Sequence, residues 1–142
     1  MNYKAIALCL ALAAPAAFAC DGSENHAEAA PLKKVTVAEL AKMASAKEAT
    51  VLDANNNDFR AKNGIIPGAI LLTSSSEFAV SELPANKDAK LVFYCANDKC
   101  GASHGAAAKA AQAGYTNVAV LPDGLMGWKK AGQKTQSFKP NS

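Results

Sequence analysis

The sequence predicts an α/β domain in which a central parallel sheet is flanked by helices on both faces. Short, wholly apolar runs suited to buried strands alternate with stretches of helical composition. Parallel strands need that apolar character because crossover helices cover both faces of the sheet. The chain has 142 residues, which fits one domain with a core of its own. Its apolar fraction of 50% and mean hydropathy of −0.01 are those of a folded globular chain rather than a disordered one.

Each element has its own local signals. Thr36 and Glu39 form a capping box, and Val37, Leu40, Ala41 and Ala44 recur at helical spacing behind it, which predicts the first helix. Thr50-Val51-Leu52, ending at Asp53, reads as a buried strand. The polar stretch 55–63 carries Phe59 and room for a short helix, and Gly64 and Pro67-Gly68 punctuate the chain after it. Ala69-Ile70-Leu71-Leu72 predicts a second strand, and the serines at 73–76 precede a short helix over 77–81. Lys90-Leu91-Val92-Phe93-Tyr94 is the clearest strand, with Cys95 at its C-terminal end. A loop from Ala96 to Ala102 leads into a helix over 103–113, stopped by Gly114. Val118-Ala119-Val120-Leu121 predicts the next strand, and 124–131, with Trp128, a final helix. Trp128 and Phe59 are expected in the core. The tail from Gly132 is polar and expected to fray.

The organisation is therefore an N-terminal segment 1–19, a tether 20–31, a folded domain 32–131 and a polar tail 132–142. Lys4 followed by an apolar, Ala-rich run to Ala17-Phe18-Ala19 has the form of a secretory signal peptide. At about 15 residues the run is short of the roughly 20 that a membrane span needs. A buried core helix is the alternative, against which stand its position and the small-x-small cleavage site. The expected location is thus the periplasm or cell envelope. Cys20, directly after that site, is a candidate for lipidation because small residues before a cysteine resemble a lipoprotein box, although Phe18 fits the box poorly. Membrane attachment is expected only if Cys20 is acylated. Loss of Lys4 takes the chain from 15 basic against 12 acidic residues (+3) to 14 against 12 (+2), too weak and too scattered to favour nucleic acid. Of four cysteines, Cys9 lies in the signal, leaving Cys20, Cys95 and Cys100. An odd number in an oxidising compartment points to a reactive, modified or intermolecular thiol.

Cys95 stands where a strand ends and a loop leads to a helix N-terminus. Ligands in open α/β sheets bind at such carboxyl ends. Loop N–H groups and the helix dipole both favour a thiolate, and equally an anionic persulfide formed on it. Lys99 can help to hold a dianionic donor, while Asp98 opposes this. The plain alternative is a buried, inert cysteine.

Five ordered segments carry a further inference: Val51-Leu52-Asp53-Ala54, Gly64-Ile65-Ile66-Pro67-Gly68-Ala69-Ile70, Phe93-Tyr94-Cys95, Gly114-Tyr115-x-Asn117-Val118 and Asp123-Gly124-Leu125-x-Gly127-Trp128. In order and spacing they resemble the single-domain rhodanese family, over roughly Val35 to Ala131. The resemblance implies a small α/β domain with sulfurtransferase activity. Sulfane sulfur would pass from thiosulfate or a persulfide, through a Cys95 persulfide, to a thiol or cyanide-like acceptor, without a cofactor. It also implies a cradle of backbone amides in the loop Ala96, Asn97, Asp98, Lys99, Cys100 and Gly101.

The sequence departs from that family's pattern in three places. Asn55 stands where many members carry arginine, and Ile65 replaces the usual histidine; both are expected to lie away from the sulfur and to bear on stability and partner choice. The span from Cys95 to Ser103 is longer than the common pattern and carries Cys100. Cys100 has three readings: a resolving thiol for Cys95, a partner in a static disulfide that silences transfer, or a residue without a role. His104, at the helix start, is read as a solvated residue or a substrate-orienting one. A metal site of Cys95, Cys100 and His104 is disfavoured because this cysteine spacing is not a common zinc spacing and a fourth ligand is not evident. Two other functions compete with sulfur transfer. One is redox or oxyanion handling by Cys95 and Cys100, although Gly101 and Ala102 stand where related phosphatase loops place arginine. The other is a catalytically idle binding module.

Overall fold

The computed structural model describes residues 31–140; the signal segment, almost all of the tether and Cys20 lie outside them. Within that span the elements run β1 Lys33–Lys34, α1 Val37–Ser45, β2 Thr50–Asp53, α2 Asn57–Asn63, β3 Ile70–Leu71, a 3-10 turn Val80–Glu82, β4 Leu91–Tyr94, α3 Ala102–Gln112, β5 Val118–Leu121 and α4 Gly124–Lys130. The five strands form one sheet, in the order β1-β5-β4-β2-β3, and every pair is parallel.

The alternation of side chains along each strand builds two cores. Leu91 and Phe93 of β4 and Val118 and Val120 of β5 face α3, joining Ala106, Ala107 and Ala110. Val92, Tyr94, Ala119 and Leu121 face the opposite way, onto Val37 and Leu40 of α1 and Leu125 and Trp128 of α4. Both faces are thus covered by helices, as the apolar strands require. Alanine on the inner face of α3 lets that helix approach the sheet closely. Trp128 is buried, whereas Phe59 packs only in part against the α1–α4 core.

The predicted capping box is present: Thr36 Oγ1 accepts from the Glu39 N–H at 3.2 Å, and Glu39 Oε2 accepts from the Thr36 N–H at 2.8 Å. Three expectations need correction. The sequence does not predict β1, because two lysines on an edge strand carry no apolar signal. The helix expected at 77–81 is instead a 3-10 turn at Val80–Glu82. Ser74 Oγ takes the N–H groups of Ser76 and Glu77, and the Glu82 carboxylate takes those of Thr73 and Ala79, so local side chains outcompete helical bonding.

Thirdly, the polar tail is tied to the domain as far as Gln136. Ile65 and Gln136 exchange backbone hydrogen bonds of 2.8 and 2.9 Å, and Trp128 Nε1 donates to the Lys134 carbonyl at 2.8 Å. A buried indole N–H needs an acceptor, and the tail supplies it. Gly64, at φ +81°, makes the approach feasible, since a Cβ there would stand 2.8 Å from the Gln136 carbonyl oxygen.

Candidate active site

Register places Asp53, Leu71, Tyr94 and Leu121 side by side at one end of the sheet. The loops leaving β2, β3 and β4 therefore meet there. They enclose a cleft of about 410 Å³, lined by Asn55, Ser74, Ser75, Ala96, Cys100 and Ala102, among others. This is the position where parallel sheets bind ligands.

The floor is a buried polar cluster. Arg60 of α2 reaches Asp53, with Nε 3.3 Å from Oδ1, too far off the N–H direction for a hydrogen bond, so this contact is purely electrostatic. A terminal nitrogen of Arg60 donates to the carbonyls of Asp53 and Leu72, each at 2.9 Å, and tethers β2 to the segment after β3. The Tyr94 hydroxyl donates to Asp53 Oδ2 and accepts from the Ile66 N–H at 3.0 Å. Burial, reinforced by the neighbouring Asp53 charge, pushes the Tyr94 phenol well above its ordinary range, so it remains a donor. Asp53, which ends β2, is thus the hub of the floor. It also accepts from the Asn55 N–H at 2.7 Å.

Cys95 sits on this floor, 1% exposed. Its carbonyl accepts from the Leu125 N–H at 2.8 Å and that of Ala96 accepts from Met126 at 2.9 Å, so α4 grips the root of the loop. Gly124 is needed there: its φ is +58°, and a Cβ would lie 2.5 Å from the Cys95 carbonyl oxygen. Around the sulfur stand the Cys100 carbonyl at 3.0 Å, the Asn97 carbonyl at 3.8 Å and the Ser103 hydroxyl at 3.3 Å. Acceptors therefore outnumber the expected amides at Cys95. Burial chiefly, together with the Cys100 thiol, raises the Cys95 thiol above its ordinary range, while the N–H and hydroxyl of Ser103 pull the other way.

Cys100 lies in the opposite environment. It is half-buried and lines the cleft, which Cys95 does not. Burial alone would raise its thiol. The Cys95 thiol and the N–H groups of Ala102 and Ala96 outweigh that and bring it below the ordinary range. Among the described residues no side chain caps α3, whose N-cap is Gly101. Its first two amides, those of Ala102 and Ser103, point instead at the two sulfurs.

Of the other expected loop residues, Ala96 lines the cleft and Asn97 shapes the loop, accepting from the Cys100 N–H at 3.1 Å through its carbonyl and from the Lys99 N–H at 3.0 Å through its side chain. Asp98, Lys99 and Gly101 are exposed, and none of them lines the cleft; nor does His104. Among the described residues there is no group of three metal-ligating side chains, and both Cys95 and Cys100 are free thiols.

Two residues acquire places that the sequence does not suggest. Ser103, by its position only a helix opener, is buried against Cys95. Asn55, expected to lie away from the chemistry, lines the cleft; its Nδ2 is buried without a hydrogen-bond partner among the described residues.

Comparison with known proteins agrees with this architecture. The family model of the rhodanese-like domain matches residues 36–131. A search of curated proteins finds no match. Among solved structures, a Bacillus halodurans protein superposes with a TM-score of 0.65 at 23% identity, over 74% of this chain and 77% of its own. A thiosulfate sulfurtransferase from Pseudomonas aeruginosa gives 0.61 at 24% identity, over 76% of this chain and 21% of its own. The Escherichia coli 3-mercaptopyruvate sulfotransferase SseA gives 0.61 at 20% identity, over 75% and 51%. At these identities the structural likeness establishes the fold alone.

Proposed function

This chain belongs to the rhodanese-like domain family, and on that premise we propose that it is a sulfurtransferase in which Cys95 carries the sulfur. The observation that carries the proposal is the place of Cys95. It directly follows β4, an interior strand of the parallel sheet, is held on a polar floor, and heads a loop whose helix directs an amide and a hydroxyl of Ser103 at the sulfur. These two donors favour the thiolate that must attack.

With thiosulfate as donor, the Cys95 thiolate attacks the outer sulfur. The S–S bond of thiosulfate breaks, sulfite leaves with the bonding pair, and an anionic persulfide remains on Cys95. A thiol or cyanide then removes the outer sulfur and restores the thiolate. Among the described residues the lining of the cleft carries no charged side chain, so the oxyanion end of a donor would be held by neutral dipoles. Asn55 Nδ2 is the strongest candidate, since it is buried and has no other partner among the described residues. Ser74 and Ser75 supply hydroxyls beside it, whereas the Thr73 hydroxyl already donates to Glu82 at 2.7 Å. A small persulfide suits the same neutral lining.

The test is the Cys95→Ser protein. It should form no thiocyanate from thiosulfate and cyanide, and should take up no sulfur by intact mass. Retention of either activity removes the proposal. The N-terminal segment adds a proposed location, the cell envelope. N-terminal sequencing of the protein from its own cells should begin at Cys20, and a chain still starting at Met1 would refute export.

A further inference from the structure

The Cys95 proposal leaves a second thiol of the same loop without a task. The turn closed by the Cys100 N–H on the Asn97 carbonyl, at 3.1 Å, folds the loop back on itself. It brings the Cys100 carbonyl to 3.0 Å from Cys95 Sγ and sets the two thiols near enough for each to shift the other's titration. Cys95 is enclosed, while Cys100 lines the cleft. Any external acceptor meets Cys100 before it meets Cys95.

We propose that Cys100 is the built-in acceptor for the sulfur on Cys95: its sulfur attacks Cys95 Sγ of the persulfide, expels hydrogen sulfide, and leaves a Cys95–Cys100 disulfide that a dithiol reductant reopens. This rests on the reading of Cys95 as the persulfide carrier. Its inner sulfur is the target because that atom, Cys95 Sγ itself, is the one that Cys100 approaches, its carbonyl lying 3.0 Å away. The bond from Cys95 Sγ to the outer sulfur breaks, and the Sγ–Sγ bond forms. Two electrons pass from the two cysteines to the sulfane sulfur, which departs as HS⁻ with the Cys100 proton. The dithiol returns two electrons and two protons and is itself oxidised to a disulfide. Over a cycle, thiosulfate becomes sulfite and sulfide at the expense of a dithiol. The amides of Ala96 and Ala102 facing Cys100 favour the thiolate that attacks.

The test needs no external acceptor. The reduced full chain is mixed with excess thiosulfate in the absence of oxygen. Sulfite and sulfide should appear in equal amounts and stop after one turnover, with the protein about 2 Da lighter. Trypsin cuts after Lys99, so the disulfide should appear as a cross-linked pair of peptides, one carrying Cys95 and the other Cys100. Added dithiothreitol should restart the cycle. Cys100→Ser should release sulfite, stay about 32 Da heavier, and yield no sulfide. A native chain that keeps the heavier mass on either cysteine and yields no sulfide overturns the Cys100 proposal and leaves the Cys95 proposal standing. A Cys100→Ser chain that neither gains sulfur nor releases sulfite overturns both.

Discussion

Beneath the cleft, Asp53, Arg60 and Tyr94 are buried and bound to one another and to backbone of β2 and of the segments before and after β3. Above it, the loop from Ala96 to Gly101 is held by the turn at Asn97 and by single bonds to α3 and α4, and Asp98, Lys99 and Gly101 stand in solvent. The floor is a long-range network whose charges are costly to leave unpaired. The loop is built on a local turn, closed by the Cys100 N–H on the Asn97 carbonyl at 3.1 Å. Cys95 ends the strand on the floor, and Cys100 belongs to the loop. Cys95, the proposed carrier, is thus fixed by packing, whereas Cys100 is set by the local turn at Asn97.

The sharpest way to break this comparison is to remove charge from each region. Arg60→Leu leaves Asp53 buried without its cation and should cost about 3–5 kcal/mol of stability by urea unfolding. Lys99→Ala, in the loop, should stay within about 0.5 kcal/mol of the parent. Equal losses in the two proteins would mean that the floor is not the rigid partner. Next in size is Gly124→Ala, which acts where the two regions join. Its new methyl meets the Cys95 and Ala96 backbone at 2.5 to 2.7 Å, on a residue with φ +58°, and should cost about 1–3 kcal/mol. Thiocyanate formation should fall even at temperatures where the variant is fully folded, because the root of the loop is displaced. Gly105→Ala in α3, where a Cβ has nothing within 4 Å, is the control. It should add about 0.5–1 kcal/mol through helix propensity and leave transfer unchanged.

The legibility of the sequence divides along the same line. Strands β2, β4 and β5 are legible because a strand buried on both faces must be apolar throughout, and Cys95 is legible because it directly ends one. The floor is not. Arg60 lies seven positions from Asp53 and Tyr94 forty-one, and only the parallel register of β2 and β4 brings them together. A buried arginine has no local signature that separates it from a solvated one. The same holds for Asn55, which looks like a missing arginine and proves to line the cleft. The sequence identifies the loop residues, but not which sulfur the amides face. That depends on the turn at Asn97 and on where α3 starts, details below the resolution of composition and spacing.

The smallest effect tests those sulfurs directly. Cys100 is cleft-facing and its thiol lies below the ordinary range, because the Cys95 thiol and two amides outweigh its burial. Cys95 is enclosed and its thiol lies above that range, because burial and the Cys100 thiol outweigh Ser103. Alkylation needs thiolate, so its rate rises with pH until the thiol has titrated. With iodoacetamide on the reduced chain, Cys100 should react first, and its rate should level off at lower pH than that of Cys95. The two are read separately because trypsin divides them at Lys99. Alkylation of Cys95 ahead of Cys100 would place the amides on the wrong sulfur. In Cys100→Ser the burial of Cys95 and its contacts with Ser103 persist while the second thiol is lost, so Cys95 should titrate at lower pH than in the parent. That shift separates the influence of the second thiol from that of burial, which the floor sets and the substitution leaves in place.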